Sequence, residues 1–201
     1  MVAGLKSRNK TYDDYLALRE GVKAELINGE LFMCPQPKGR HIQAASLLGG
    51  LLTVRFGLRG KPSSDGPGGW WILHEPECHL TLDRRVVIPD RAGWRRERMP
   101  TVQQDDQKFR LAPDWVCEVL SPSTASRDTI IKMPLYLEAG VQWAWIIDPV
   151  ARRVDVFKAG DGEWLHAGFG EDHGVVALAP FNAVELDLET VFGERTPPVE
   201  G

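Results

Sequence analysis

The sequence contains only three cysteines, Cys34, Cys78 and Cys117, and no two of them fall in a C-x-x-C spacing. An odd count without that spacing suggests neither a disulfide framework nor a cysteine zinc site, leaving reduced, mostly buried thiols as the expectation. Long apolar runs are missing too. Nothing approaches the ~18 residues of a membrane-spanning helix, and the first eight residues lack the apolar stretch of a secretory signal. The chain is therefore expected in the cytoplasm, with no membrane partner. Nor is there an excess of positive charge: 24 Lys and Arg against 28 Asp and Glu give a net charge of −4. A chain that coats nucleic acid through bulk charge is excluded, so any such contact must be local. Internal repeats, low-complexity blocks and a GxSxG elbow are absent, and Gly66-Pro-Gly-Gly lacks the Lys-Ser/Thr ending of a phosphate-binding loop.

What is present is a chain of 201 residues, 43% hydrophobic and 26% charged, enough for one domain with a sizeable core. We place that domain at 11–192, between termini at 1–10 and 193–201 that read as poorly ordered. Thr11 can cap a short helix that ends near Gly21. Asn28-Gly29 between two apolar segments is the signal of a tight hairpin with strands at about 22–27 and 30–34. Ile42, Ala45, Leu48, Leu52 and Phe56 recur at helical spacing, so a long helix is expected from His41 to about Phe56. Strands are expected from Trp70, at about 77–82 and 86–90, and at Trp115–Leu120. A helix over about 126–139, bent by Pro134, follows. Four further strands read from Gln142, Arg153, Trp164 and Val175. Strands and helices intermingle without strict alternation, which makes the fold class α+β: a mixed β-sheet core flanked by helices, with a strand-rich C-terminal extension.

Glu118 is the most informative residue. Its neighbours Val116, Cys117, Val119 and Leu120 belong to a core strand, where an unpaired ionised carboxylate would cost several kcal/mol. A divalent cation, a partnering Lys or Arg, or a raised pKa must compensate it. Asp90 ends the apolar segment Val86-Val-Ile-Pro-Asp90. If the two strands pair, both carboxylates converge, and oxygen ligands from two strands suit a hard cation such as Mg2+ or Mn2+. Such an ion would support phosphodiester hydrolysis by polarising the phosphoryl oxygen and activating water. Asp128, Lys132 and Tyr136 recur every four residues on one helical face, so Lys132 could reach over the site and orient the attacking water. Read singly, Asp90 is a strand-ending turn residue, Asp128 and Lys132 are a surface ion pair, and Tyr136 is a core-edge aromatic.

Six arginines, at 84, 85, 91, 95, 96 and 98, fall in fifteen residues against Asp90 and Glu97 only. We take Arg91, Arg95 and Arg96 as candidate phosphate contacts beside Asp90, with Trp94 able to stack on a base. The alternative is a solvated hairpin edge whose charges prevent strand aggregation. Arginine-rich surroundings favour an anionic ligand over a neutral sugar, which sets aside a carboxylate-pair glycosidase. Trp143 and Trp145 alternate on one strand face and offer either an apolar interface or core packing.

Taken in order, Ala24-Glu25-Leu-Ile-Asn-Gly29-Glu30-Leu, His41 opening a helix, Ile88-Pro89-Asp90, Val116-Cys-Glu118-Val-Leu-Ser121-Pro-Ser-Thr124, Asp128 with Lys132 and Tyr136, and Ile146-Ile-Asp148-Pro149 resemble a large bacterial family of restriction-endonuclease-like proteins in the PD-(D/E)XK nuclease superfamily. The resemblance covers roughly residues 11 to 150. It implies a nuclease acting on nucleic acid, in the first place DNA, with Mg2+ held by Glu25, Asp90, Glu118 and the backbone carbonyl of Val119. It also suggests a homodimer. The superfamily lysine two residues after the glutamate is Leu120 here, and the family resembled recruits a lysine from the following helix, which assigns the role to Lys132. Glu25, before the Asn-Gly turn, has cross-strand pairing as its alternative. Glu30 and His41 are kept outside the metal shell. The competing function is a nuclease architecture without catalysis, a nucleic-acid-binding or assembly module in which Glu118 and Lys132 form a structural ion pair.

Overall fold

The computed structural model describes residues 9–19, 21–58, 67–81, 85–102 and 108–194. The expected termini at 1–8 and 195–201, and Arg84 of the arginine run, lie outside the described residues. Lys10 is tied down by an amide hydrogen bond of 2.7 Å to the carbonyl of Gly29.

Helix α1 (Tyr12–Leu16) begins on Thr11, whose side chain and that of Asp14 cap each other's backbone amides. It is shorter than expected, and Gly21 with φ +80° turns the chain into a hairpin. Strands β1 (Ala24–Ile27) and β2 (Glu30–Met33) pair antiparallel across Asn28 and Gly29, both at positive φ, as a two-residue turn of this kind requires. Helix α2 (Gly39–Leu52) starts two residues before His41 and closes in a wide π turn, Thr53–Gly57. Strands β3 (Trp70–His74), β4 (Glu77–Thr81), β5 (Arg85–Val87), β6 (Arg91–Arg95), β7 (Lys108–Phe109) and β8 (Trp115–Val119) follow. The helix after β8 is split: π turns span Arg127–Lys132, and α3 (Met133–Glu138) takes over at Pro134. Proline has no amide hydrogen and its ring would clash with the carbonyl four residues back, so the turns just before it widen rather than bend. The chain ends in β9 (Trp143–Asp148), β10 (Arg153–Gly160), β11 (Glu163–Glu171), β12 (Val175–Val176), β13 (Leu186–Asp187) and α4 (Leu188–Phe192).

Two principal sheets result. One has the order β2-β1-β5-β4-β7 and the other β11-β10-β9-β8-β6-β3, with β12 and β13 forming a small third ladder. Pairing is mixed, since β8–β9 and β4–β7 run parallel and the other pairs antiparallel. The two-residue period of β8 sends Trp115, Cys117 and Val119 to one face, where they pack with Ala45, Leu48 and Leu52 of α2, Phe181 and α4. Val116 faces the other way, with Ala92, Trp94 and Ala144, against α3 and the apolar residues of the smaller sheet. Glu118 shares that second face. Between β5 and β6 the chain leaves the smaller sheet and enters the larger one, and Ile88-Pro89-Asp90 is the crossing. Asp90 thus ends the link between the sheets rather than a continuous strand over 86–90. Strand β6 was not foreseen: its arginines read as phosphate contacts or, alternatively, as a solvated hairpin edge. Among the described residues no helix is long and apolar enough to cross a membrane.

Of the two readings of Trp143 and Trp145, the structure shows core packing. Trp145 is fully buried, its Nε1 donating to the carbonyl of Ala179 at 2.7 Å, and Trp143 is partly buried against the same core. All three cysteines are free thiols, with Cys78 and Cys117 buried.

Candidate active site

A cleft of about 690 Å3 opens where the two sheets meet, and Glu25, Asp90, Glu118, Asp128 and Lys132 all line it. Four segments deliver them: β1, the β5–β6 crossing, β8, and the π-helical segment, which gives both Asp128 and Lys132.

Asp90 is fixed at both oxygens. Its Oδ2 accepts the amide of Val119 at 2.7 Å, because β6 pairs with β8 and brings the crossing beside the end of β8. Its Oδ1 faces Nε2 of His41, from the first turn of α2, at 3.2 Å. Burial alone would push the Asp90 carboxyl up, but the hydrogen bond and charge of His41 and the Val119 amide outweigh it and hold the carboxyl below its ordinary range. His41 is the mirror case: burial would lower it, and Asp90 raises it above its ordinary 6.5.

Glu118 is 2% exposed. Its Oε1 accepts from the hydroxyl of Tyr136 and from Nζ of Lys132 at 2.7 Å. Burial drives the Glu118 carboxyl upward, and the ammonium opposes it. Glu25 is 1% exposed; its Oε1 accepts the Ile88 amide at 2.9 Å and Lys132 at 2.8 Å. Its Oε2 is buried without a hydrogen-bond donor, with Nε of Arg127 at 3.4 Å.

Lys132 therefore stands inside an oxygen shell. Around Nζ lie Glu118 and Glu25, the carbonyl of Ile88 at 3.3 Å and Asp128 at 3.6 Å. These neighbours outweigh burial and raise its pKa well above normal, so the ammonium stays charged. The structure corrects three expectations here. Lys132 lies among the carboxylates rather than reaching over them. Asp128 and Lys132 are a buried pair, not a surface one. Tyr136 is fully buried and is a hydrogen-bond donor to Glu118, not a core-edge aromatic. The cross-strand partner considered for Glu25 is likewise replaced by Lys132 and Arg127, from the π-helical segment.

The donors suit a hard divalent cation in chemistry: three carboxylates, a nearby backbone carbonyl and an orphaned buried oxygen on Glu25. As the side chains stand, no group of three His, Cys, Asp or Glu among the described residues is gathered closely enough to hold a metal ion. Lys132 supplies the positive charge shared by Glu25 and Glu118.

Arg91, Arg95 and Arg96 do not line the cleft. Arg91 is 8% exposed and donates through Nε and Nη2 to the carbonyl of Ala45, at 3.1 and 2.6 Å. It fits because Gly49 has no side chain: a Cβ there would stand 2.4 Å from Nε of Arg91. Strand β6 then runs away from Asp90. Arg95 lies over Trp70 at 4.7 Å, and Arg96 lies over Trp71 at 3.5 Å and donates to the carbonyl of Gly57. Trp94, expected to stack on a base, is fully buried and bonded to the carbonyl of Leu111. Arg91, Arg95 and Arg96 thus fasten β6 to its surroundings and stand outside the cleft.

Among the described residues, the Lys and Arg side chains that do line the cleft are Lys23, Lys38, Arg40, Arg127 and Lys132. Sequence reasoning missed Arg127 because five residues separate it from Lys132, which in an α-helix puts them well apart around the axis. An i→i+5 turn brings them toward one side, and both reach Glu25. The only sequence signal is Pro134, which disfavours ordinary α turns directly before it.

A family model described as "Uma2: Putative restriction endonuclease" matches residues 12–189. The chain belongs to the Uma2 family. Among solved structures it is similar to "a putative nuclease belonging to DUF820" from Anabaena variabilis, with a TM-score of 0.70 and 24% identity, covering 90% of this chain and 97% of that one. The mixed α+β architecture expected from the sequence is the fold that structure has. No curated protein matches the chain. Uma2 membership places the protein in a nuclease family of restriction-endonuclease-like fold.

Proposed function

We propose that this Uma2 protein is a Mg2+-dependent endonuclease that hydrolyses phosphodiester bonds in DNA at the cleft between its sheets. One observation carries the reading: the crossing segment and β8 put Asp90 and Glu118 into the same cleft, with one oxygen of Asp90 docked on the amide next to Glu118. Asp90 and Glu118 would hold the ion, with Glu25 and the Val119 carbonyl as further donors. A divalent ion bound there supplies polarisation of the phosphoryl oxygen and a more acidic water. The chain's own residues prepare the site. His41 and the Val119 amide fix the orientation of the Asp90 carboxylate and keep it ionised at neutral pH. Tyr136 and Lys132 both hold Oε1 of Glu118. Lys132 adds a fixed positive charge beside the reacting centre, where preorganised charge is most effective.

A second reading, the same fold serving as a nucleic-acid-binding or assembly module without catalysis, is favoured by Lys132 itself. Its ammonium already neutralises Glu25 and Glu118, as a structural ion pair would. Nicking of supercoiled plasmid with Mg2+ or Mn2+ separates the two. Asp90→Asn keeps an oxygen acceptor for the Val119 amide and nearly the same side-chain shape. The nuclease reading expects metal-stimulated nicking by the wild type and none by the variant. Equal nicking by both contradicts the assignment of Asp90, and a wild type that neither nicks nor takes up Mn2+ calorimetrically leaves the module.

A further inference from the structure

We propose that Arg127 is the residue that holds the substrate phosphate in the cleft, a role resting on the nuclease reading above. A phosphodiester entering this cleft meets five carboxylates among the described residues, Glu25, Glu75, Asp90, Glu118 and Asp128, and needs positive charge that those acids have not already consumed. Lys132 is enclosed by three of them and is 2% exposed. Lys23 is paired with Glu75. Lys38 and Arg40 make no ion pair among the described residues, but both are exposed at the rim, on long side chains that binding would have to order.

Arg127 differs from all of these. Its side chain is 16% exposed, and its guanidinium lies 5.5 Å from the ring centre of Phe32. The ion pair with Glu25 is made through Nε, which is buried without a hydrogen bond. The two terminal nitrogens make no hydrogen bond among the described residues and, unlike Nε, are not buried, on a residue that lines the cleft. A guanidinium anchored at Nε with both terminal nitrogens available is the planar fork that pairs with two oxygens of one phosphate. Because Glu25 and Phe32 hold it in place, little side-chain freedom is lost when the phosphate arrives. The same contact places the phosphate next to Glu25, and so next to the carboxylates that would carry the metal.

The test is binding of a fluorescent DNA duplex to the full chain in EDTA, without turnover, across a range of salt concentrations. For Arg127→Gln the slope of log affinity against log salt is expected to shrink by about one phosphate contact's worth, ~0.9, with affinity down about tenfold at moderate salt. Arg127→Lys keeps the charge facing Glu25, and so covers the case in which the glutamine variant fails to fold. It should keep the wild-type slope while binding about tenfold more weakly, because the fork is lost. If Arg127 only neutralises Glu25, neither variant alters affinity or slope, and that result overturns the proposal while the wild type still binds DNA. A wild type that binds no DNA at any salt concentration overturns the nuclease reading together with it.

Discussion

Two ionic clusters of similar composition occupy opposite extremes of solvent exposure. On the outer hairpin, Arg153 grips Asp155 through two hydrogen bonds of 2.8 and 2.7 Å, and His166 and Glu171 join at 2.9 and 3.5 Å. In the cleft, Lys132 is held by Glu25, Glu118 and Asp128 at 2.8, 2.7 and 3.6 Å. The distances barely differ, but the surroundings do. Side chains of the hairpin cluster keep between 25% and 61% of their surface in water, whereas those of the cleft cluster keep 5% or less. Water screens the first group and replaces any partner it loses. The second has no such substitute, so each member depends on the others. Contact geometry therefore says little about which cluster matters, and burial says a great deal.

The comparison breaks most visibly at Lys132. Lys132→Met leaves three buried carboxylates without their ammonium, and urea unfolding should show a loss of about 3–5 kcal/mol. Adding Glu118→Gln to that variant removes one of the stranded charges and should recover part of the loss. A single variant as stable as the wild type would mean that the cluster is not ionised as described.

An intermediate and pH-dependent effect is expected at His41. Its folded pKa lies above the ordinary 6.5, so the stabilisation it gives is complete below that value and fades as pH rises through the folded pKa. His41→Gln should therefore lower the urea midpoint most in mildly acidic buffer and least in alkaline buffer. Asp90 adds the opposite limb. Its lowered pKa gives stability that is present above the ordinary carboxylate value of 3.8 and is lost as pH falls through the folded one. A His41→Gln deficit that grew with pH would contradict the pairing with Asp90. The smallest effect belongs to the hairpin: Asp155→Asn should leave the urea midpoint indistinguishable from wild type, and a large shift there would remove the contrast drawn between the two clusters.

Much of this was legible in the chain, for physical reasons that also explain where legibility ended. Asn28-Gly29 announces its hairpin because few residue pairs tolerate two positive φ angles, and β1 and β2 pair across it in full register. Glu118 announces itself because a carboxylate in an apolar strand demands a partner, and Lys132 and Tyr136 are that partner. The arginine run misled because charge density along a sequence carries no direction. Arg91 turns inward through the gap left by Gly49, some forty residues earlier in the chain, and only the folded arrangement shows that gap. Arg127 stayed hidden for a related reason: a four-residue period cannot anticipate a widened turn. The sequence also showed that Glu118 needed compensation but left open whether a metal, a Lys or Arg, or a raised pKa supplies it. That choice depends on the reach of Lys132 across to Glu25 on β1, a contact more than a hundred residues apart in the chain.

The most direct test of metal-dependent chemistry in this cleft is a crystal of the wild-type protein grown with Mn2+ and measured at the manganese absorption edge. The account predicts one anomalous peak within about 2.0–2.4 Å of carboxylate oxygens from both Asp90 and Glu118. An Mn2+-saturated crystal with no peak there, and with the Lys132 ammonium still seated between Glu25 and Glu118, would contradict it.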